Sequence, residues 1–138
     1  MSKGMDMSPS FAITPRILVL ESNPEDGFDL AAQLNDAGYE AQSESDWSDL
    51  AGAAAEAYDV IVGEADTIPF EDLAAVCDPQ DAPAWILLAS FGSIQDAVGA
   101  MRAGAADYIS KPVPIERLLM SIERVLERRA LFSENQQL

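Results

Sequence analysis

The sequence predicts an α/β fold: five strands alternating with five helices, (βα)5, as a doubly wound open parallel five-stranded sheet. Three observations carry this. RILVL at 16–20, YDVIVGE at 58–64 and AWILLAS at 84–90 are apolar runs of strand length, as expected of strands buried on both faces. Stretches with helical spacing of apolar residues separate them. The connections are short, and such alternation places helices on both faces of a parallel sheet.

Residues 1–15 carry no period and hold Ser, Gly and two prolines, so they are expected to form a flexible N-terminal tail. After RILVL, Pro24 suits a first helical turn, Phe28, Ala31, Leu34 and Ala37 keep helical spacing, and Gly38 suits the C-terminal stop. YEAQS at 39–43 is a weaker strand. DWSDLAGAAAEA at 46–57 reads as a helix opened by Ser45 or Asp46. PFEDLAAVC at 69–77 reads as a short helix after Pro69. In SIQDAVGAMRAGA, Ser93 and Asp96 form a capping-box pattern and Gly104 closes the helix. DYIS at 107–110 is the last strand. The final helix, 114–132, starts at Pro114. Its apolar stripe is Ile115, Leu118, Leu119, Ile122, Val125 and Leu126.

Composition excludes several function classes. The chain has 138 residues, one domain's worth, and 49% are hydrophobic, enough for a core. The formal net charge of -16 opposes direct nucleic-acid binding and binding to anionic membranes, and its ordinary meaning is solubility. No histidine is present, which excludes His-based acid–base catalysis, a Ser-His-Asp triad and a His metal site. The single Cys77 cannot form an internal disulfide, reads as a small core residue, and makes a reducing cytoplasm the expected location. No apolar run reaches the roughly 18–20 residues of a membrane span.

In open parallel sheets, sites form in the crevice beyond the carboxyl ends of the strands. Glu21, Ser22 and Asn23 follow the first strand. Glu64, Ala65 and Asp66 end the third, Ala89 and Ser90 the fourth, and Ser110 and Lys111 the fifth. Lys3 and Lys111 are the only lysines, so a lysine at this rim asks for an anion. Glu64 is the first expected partner and Glu21 the second. Wet strand ends also hold charges for no further reason. The pair is expected to be partly exposed and worth about 0 to 1 kcal/mol.

RILVLESNPED, YDVIVGE, WILLASFGSIQDAVGAMRAGAADYISKP and the final helix resemble the receiver domain of two-component response regulators. The resemblance spans 16–128 and implies a flavodoxin-like, CheY-like sheet of strand order 2-1-3-4-5. It implies that Lys111 takes the phosphate-contact position, that the bond before Pro112 is cis, and that Tyr108 is the switch aromatic. Tyr108 reads equally well as a packed strand-end aromatic.

The departures are specific. The paired acids that hold Mg²⁺ in the family correspond here to Glu21 and Ser22, the phosphoacceptor aspartate to Glu64, and the Thr or Ser hydroxyl to Ala89. Ser90 is adjacent, but neighbouring strand residues point to opposite faces. Phosphoryl transfer depends on positioning and charge neutralisation, and Mg²⁺ wants near-octahedral oxygen ligation. No catalytic residue is therefore expected. Mg²⁺ binding is expected to be weak or absent, with Glu21 and Glu64 the weak metal candidates, and no cofactor is expected. Glu64 either imitates a phosphoaspartate or pairs with Lys111 as a relic.

The resulting expectation is a non-enzymatic, atypical receiver in bacterial signalling, independent of phosphorylation. It would serve as a protein-interaction or dimerisation module, with a protein partner or output domain and with the last helix face as a homodimer surface. Residues 129–138 form a helical extension or linker, resembling the linker helix that precedes AAA+ enhancer-binding domains. The alternative is a phosphoacceptor with altered chemistry at Glu64, Asp66 or Glu21. A small-molecule binder of the flavodoxin type would need a phosphate loop, and the acidic ESNPED would repel phosphate.

Overall fold

The structure is a computed structural model and describes residues 14–45, 57–65, 83–90 and 93–137, with side chains described as far as residue 129. The helix expected at 46–57 up to residue 56, the one expected at 69–77 with Cys77, Asp66 and most of the N-terminal tail lie outside the described residues.

The strands are β1 (Arg16–Leu20), β2 (Glu40–Glu44), β3 (Val60–Glu64), β4 (Ala84–Ala89) and β5 (Asp107–Ser110). They form one parallel sheet in the order β2-β1-β3-β4-β5. The central strands β1, β3 and β4 are buried on both faces, so their sequences carry unbroken apolar runs. β2 and β5 are edge strands with mixed exposure, which explains why EAQSE reads weakly as a strand.

Side-chain alternation along the strands builds two cores. Ile17, Val19, Val60, Val62, Ile86, Leu88 and Ile109 pack against α1 (Pro24–Asp36) and α3 (Ile115–Gln137). Leu18, Leu20, Ile61, Trp85 and Leu87 face the other way, toward Ala100 of α2 (Ile94–Ala103). Each fully buried Leu, Ile or Val contributes roughly 1.5–3 kcal/mol of transfer free energy.

The helix ends follow local chemistry. The Asn23 side chain accepts from the Glu25 and Asp26 amides and opens α1 at Pro24. Ser93 and Asp96 form the reciprocal capping box of α2, and Gly104 closes it with φ 114°. The helix stops at Asp36 with Ala37 as its C-cap, and Gly38 follows with φ 105°, the left-handed stop that the sequence suggests. One detail differs from the sequence reading of α1: Phe28 is 71% exposed, because Gly27, Ala31 and Leu34 form the buried stripe and Phe28 projects off its side. In α3, Leu118, Ile122 and Val125 are buried, with Ile115, Leu119 and Leu126 packed beside them. The helix runs past residue 132 to Gln137.

Candidate functional site

The order of the sheet reverses at β1, whose two neighbours are β2 and β3. A crevice is expected where connections diverge to opposite faces, beyond the carboxyl ends of these strands. The polar strand-end residues gather there.

Leu20 pairs in register with Gly63, so Glu21 and Glu64 leave their strands side by side. The Glu21 amide donates to the Glu44 carbonyl at 3.1 Å, which continues the sheet pairing one residue past β1. Ala89 pairs with Ser110, and the Lys111 amide donates to the Ala89 carbonyl at 2.8 Å. The Lys111–Pro112 peptide is cis.

The Lys111 ammonium bridges two carboxylates, donating to Glu21 Oε2 and Glu64 Oε2 at 3.1 Å each. The other Glu64 oxygen, Oε1, accepts from the Ser22 hydroxyl at 2.7 Å and from the Ser22 amide at 3.2 Å. The lysine therefore has both expected anions, with no ranking between them. The cluster is less exposed than the sequence suggested: the side chains of Glu21, Glu64 and Lys111 are 8%, 11% and 26% exposed. At that burial, losing one partner costs more than at a surface pair, because a carboxylate is left without its cation.

Burial and the hydrogen bond with Glu64 raise the Glu21 carboxyl above its ordinary 4.5, against the pull of Lys111. Burial alone would raise Glu64 too. The Ser22 hydroxyl and amide, with Glu21 and Lys111, outweigh it and lower Glu64 to about 2. Burial acts to lower the Lys111 ammonium, but its two carboxylates win and raise it. Glu64 is thus the acid that ionises first, and Glu21 the one that holds its proton longer.

This donor set fits Mg²⁺ poorly. The ammonium already lies between the two carboxylates a metal would need, and the Ser22 hydroxyl is directed at one of them. Ala89 is fully buried and supplies no hydroxyl, while Ser90 is exposed just beyond the strand end. Tyr108 is half-buried against the cluster containing Leu87 and Trp85, on the α2 side of the sheet.

Two contributors were not legible beforehand. Gly27 brings α1 against the site: a Cβ there would lie 3.2 Å from the Glu21 Cβ and 3.4 Å from the Ser43 Cβ. Ser121 is buried in α3, and its hydroxyl donates to Asp107 Oδ2 at 2.7 Å, with the Arg117 guanidinium 3.7 Å from that oxygen. A serine beside Ile122, next to the apolar stripe, was the available signal for the second.

No protein-family model matches the chain. A stretch of 53 residues is 47% identical to the C4-dicarboxylate transport transcriptional regulatory protein DctD of Pseudomonas aeruginosa, covering 38% of this chain and 12% of that protein. Over 130 residues the chain is 30% identical to the nitrogen assimilation regulatory protein NtrX of Azorhizobium caulinodans, covering 88% of this chain and 28% of that protein. The chain therefore spans well under half the length of these two relatives. The crystal structure of a CheY-like response regulator receiver domain protein from Methanospirillum hungatei superposes with a TM-score of 0.75 at 21% identity, covering 86% of this chain and 98% of that one.

The reversed sheet order, the strand-end site and these likenesses define a class: the chain is a receiver, or CheY-like, domain of the response regulators of two-component systems. Among the described residues no helix is long and apolar enough to cross a membrane.

Proposed function

We propose that this receiver works without phosphorylation, as a protein-interaction or dimerisation module whose strand-end site is held closed by its own lysine. The observation that carries the reading is the bridge from Lys111 to both Glu21 and Glu64. In a receiver that accepts a phosphoryl group, the corresponding rim must gather a metal and an incoming phosphate. Here the cation that would meet the phosphate is already neutralised by two glutamates. Ser22, in the place of an acid, holds Glu64 rather than a metal, and Ala89 has no hydroxyl for an activated group. Each glutamate is also one methylene longer than aspartate, a displacement of the order that costs about 10²-fold in positioned chemistry.

The names of the relatives, transcriptional regulatory and nitrogen assimilation regulatory proteins, favour a place beside an output domain in a longer regulator, with the helix through Gln137 as the connection. An AAA+ enhancer-binding domain is one such output. Glu64 in this reading either stands in for a phosphoaspartate or is a structural relic. Substituting Lys111 separates the two, since only a mimic would change partner binding or self-association more than stability.

The test is mass spectrometry after incubation with acetyl phosphate and Mg²⁺. No phosphoryl adduct is expected. An adduct lost on Glu64→Ala would establish the alternative, an altered phosphoacceptor, and one lost instead on Glu21→Gln or Asp66→Asn would place it there.

A further inference from the structure

We propose that Asn35 plugs the outer edge of the sheet: its carboxamide occupies the backbone positions of β2 through which a second copy of this chain would otherwise add a strand. The plug acts whether or not the strand-end site takes a phosphoryl group.

β2 ends the sheet, with β1 as its one neighbour among the described residues. The Glu40 amide donates to the Pro15 carbonyl, and the Glu44 carbonyl accepts from the Glu21 amide, both at 3.1 Å. Arg16 pairs in register with Glu40 and Leu20 with Glu44, so residues 40, 42 and 44 turn their backbone groups toward β1. Ala41 and Ser43 turn theirs outward. A row of outward N–H and C=O groups is a template for another strand.

At Ala41 both groups are taken. Its amide donates to Asn35 Oδ1 at 2.8 Å, and its carbonyl accepts from Asn35 Nδ2 at 3.1 Å. A carboxamide carries an acceptor and a donor side by side, as a peptide group does. Asn35 therefore stands where the backbone of an added strand would stand. Asparagine is a weak helix former, yet it holds the penultimate position of α1. Gly38, at φ 105°, turns the chain so that β2 starts beside that position.

A second copy is the strand to be kept out, because every copy carries the same edge. Two β2 strands running antiparallel about Gln42 would set Ala41 opposite Ser43 of the other copy, outward groups facing outward groups. The same register sets Glu40, exposed like Glu44, opposite the other copy's Glu44. Like charges directly opposite are destabilising. Plug and charge thus guard one edge.

The test uses the full chain carrying Cys77→Ser and Gln42→Cys. In the paired register the two residues at position 42 would lie about 4.5 Å apart at Cα, within disulfide reach. Glu40→Gln with Glu44→Gln removes the charge guard in both arms. Under mild oxidation, adding Asn35→Ala should raise the disulfide-linked dimer about ten-fold, the order expected from freeing two hydrogen-bonding groups. Equal cross-linking with and without Asn35, or none in either arm, would overturn the proposal. Amide hydrogen exchange gives a second readout. Ala41 should exchange about ten-fold faster in Asn35→Ala, while Gln42, bonded to β1, stays protected. Equal acceleration at both amides would make Asn35 a brace of the whole strand rather than a plug, and an unchanged Ala41 would show that the carboxamide does not close it; either result overturns the proposal.

Discussion

Ser22 and Glu64 meet across the β1–β3 crevice, hydroxyl to carboxylate at 2.7 Å, although 42 residues separate them in the chain. This bond holds one Glu64 oxygen while Lys111 holds the other. The first prediction follows. Ser22→Ala removes the hydroxyl but keeps the backbone amide contact, so the Glu64 carboxyl should titrate distinctly above its native value of about 2, toward the ordinary 4.5. Carboxyl-carbon NMR titration reads this directly, and an unmoved Glu64 would show that the hydroxyl is not what lowers it.

Lys111→Met should cost about 2 kcal/mol, between the 0–1 kcal/mol of exposed pairs and the 3–5 kcal/mol of broken buried ones. The loss reflects two carboxylates left facing each other. Adding Glu21→Gln removes one of those charges and should recover part of it. Urea unfolding of the single and double variants gives the coupling, and strictly additive losses would argue against a shared network.

The two glutamates give stability opposite pH slopes. Glu64 is lowered in the folded state, so its contribution is full above 4.5 and is lost as pH falls toward about 2. Glu21 is raised, so its contribution is full below 4.5 and is lost as pH rises through its folded value. The stability advantage of the native protein over Glu21→Gln should therefore shrink as pH rises from 4.5 toward neutrality. A pH-independent difference between the two unfolding curves would contradict this.

Ser121→Ala should destabilise by about 1 kcal/mol, the net worth of one hydrogen bond. Asp107 would keep its contacts to the Tyr108 amide and Arg117 but lose the 2.7 Å bond that ties α3 to β5. Thermal unfolding measures the change, and an unchanged midpoint would mean that water replaces the hydroxyl at no cost.

The fold was legible because its instructions are local. The unbroken runs RILVL and AWILLAS declared central strands, the Ser93–Asp96 box and Gly104 marked both ends of α2, and the alternation of periods implied a parallel sheet. The residues lining the rim were legible too, since strand ends in such a sheet share one edge. Phe28 misled because its apolar character fits a helical stripe, yet it is Gly27 that packs against Glu21 and Ser43, which leaves the neighbouring Phe28 exposed.

What only the tertiary structure decided is how charge is shared at that rim. A sequence names Glu21, Glu64, Ser22 and Lys111 but not which oxygen meets which donor. Those distances depend on the register of β1 against β3 and on where β5 ends beside β4. The burial that raises Glu21 and the bonds that lower Glu64 arise from elements far apart in the chain. Electrostatic energy varies with separation and solvent exposure, and neither exists until the sheet has formed.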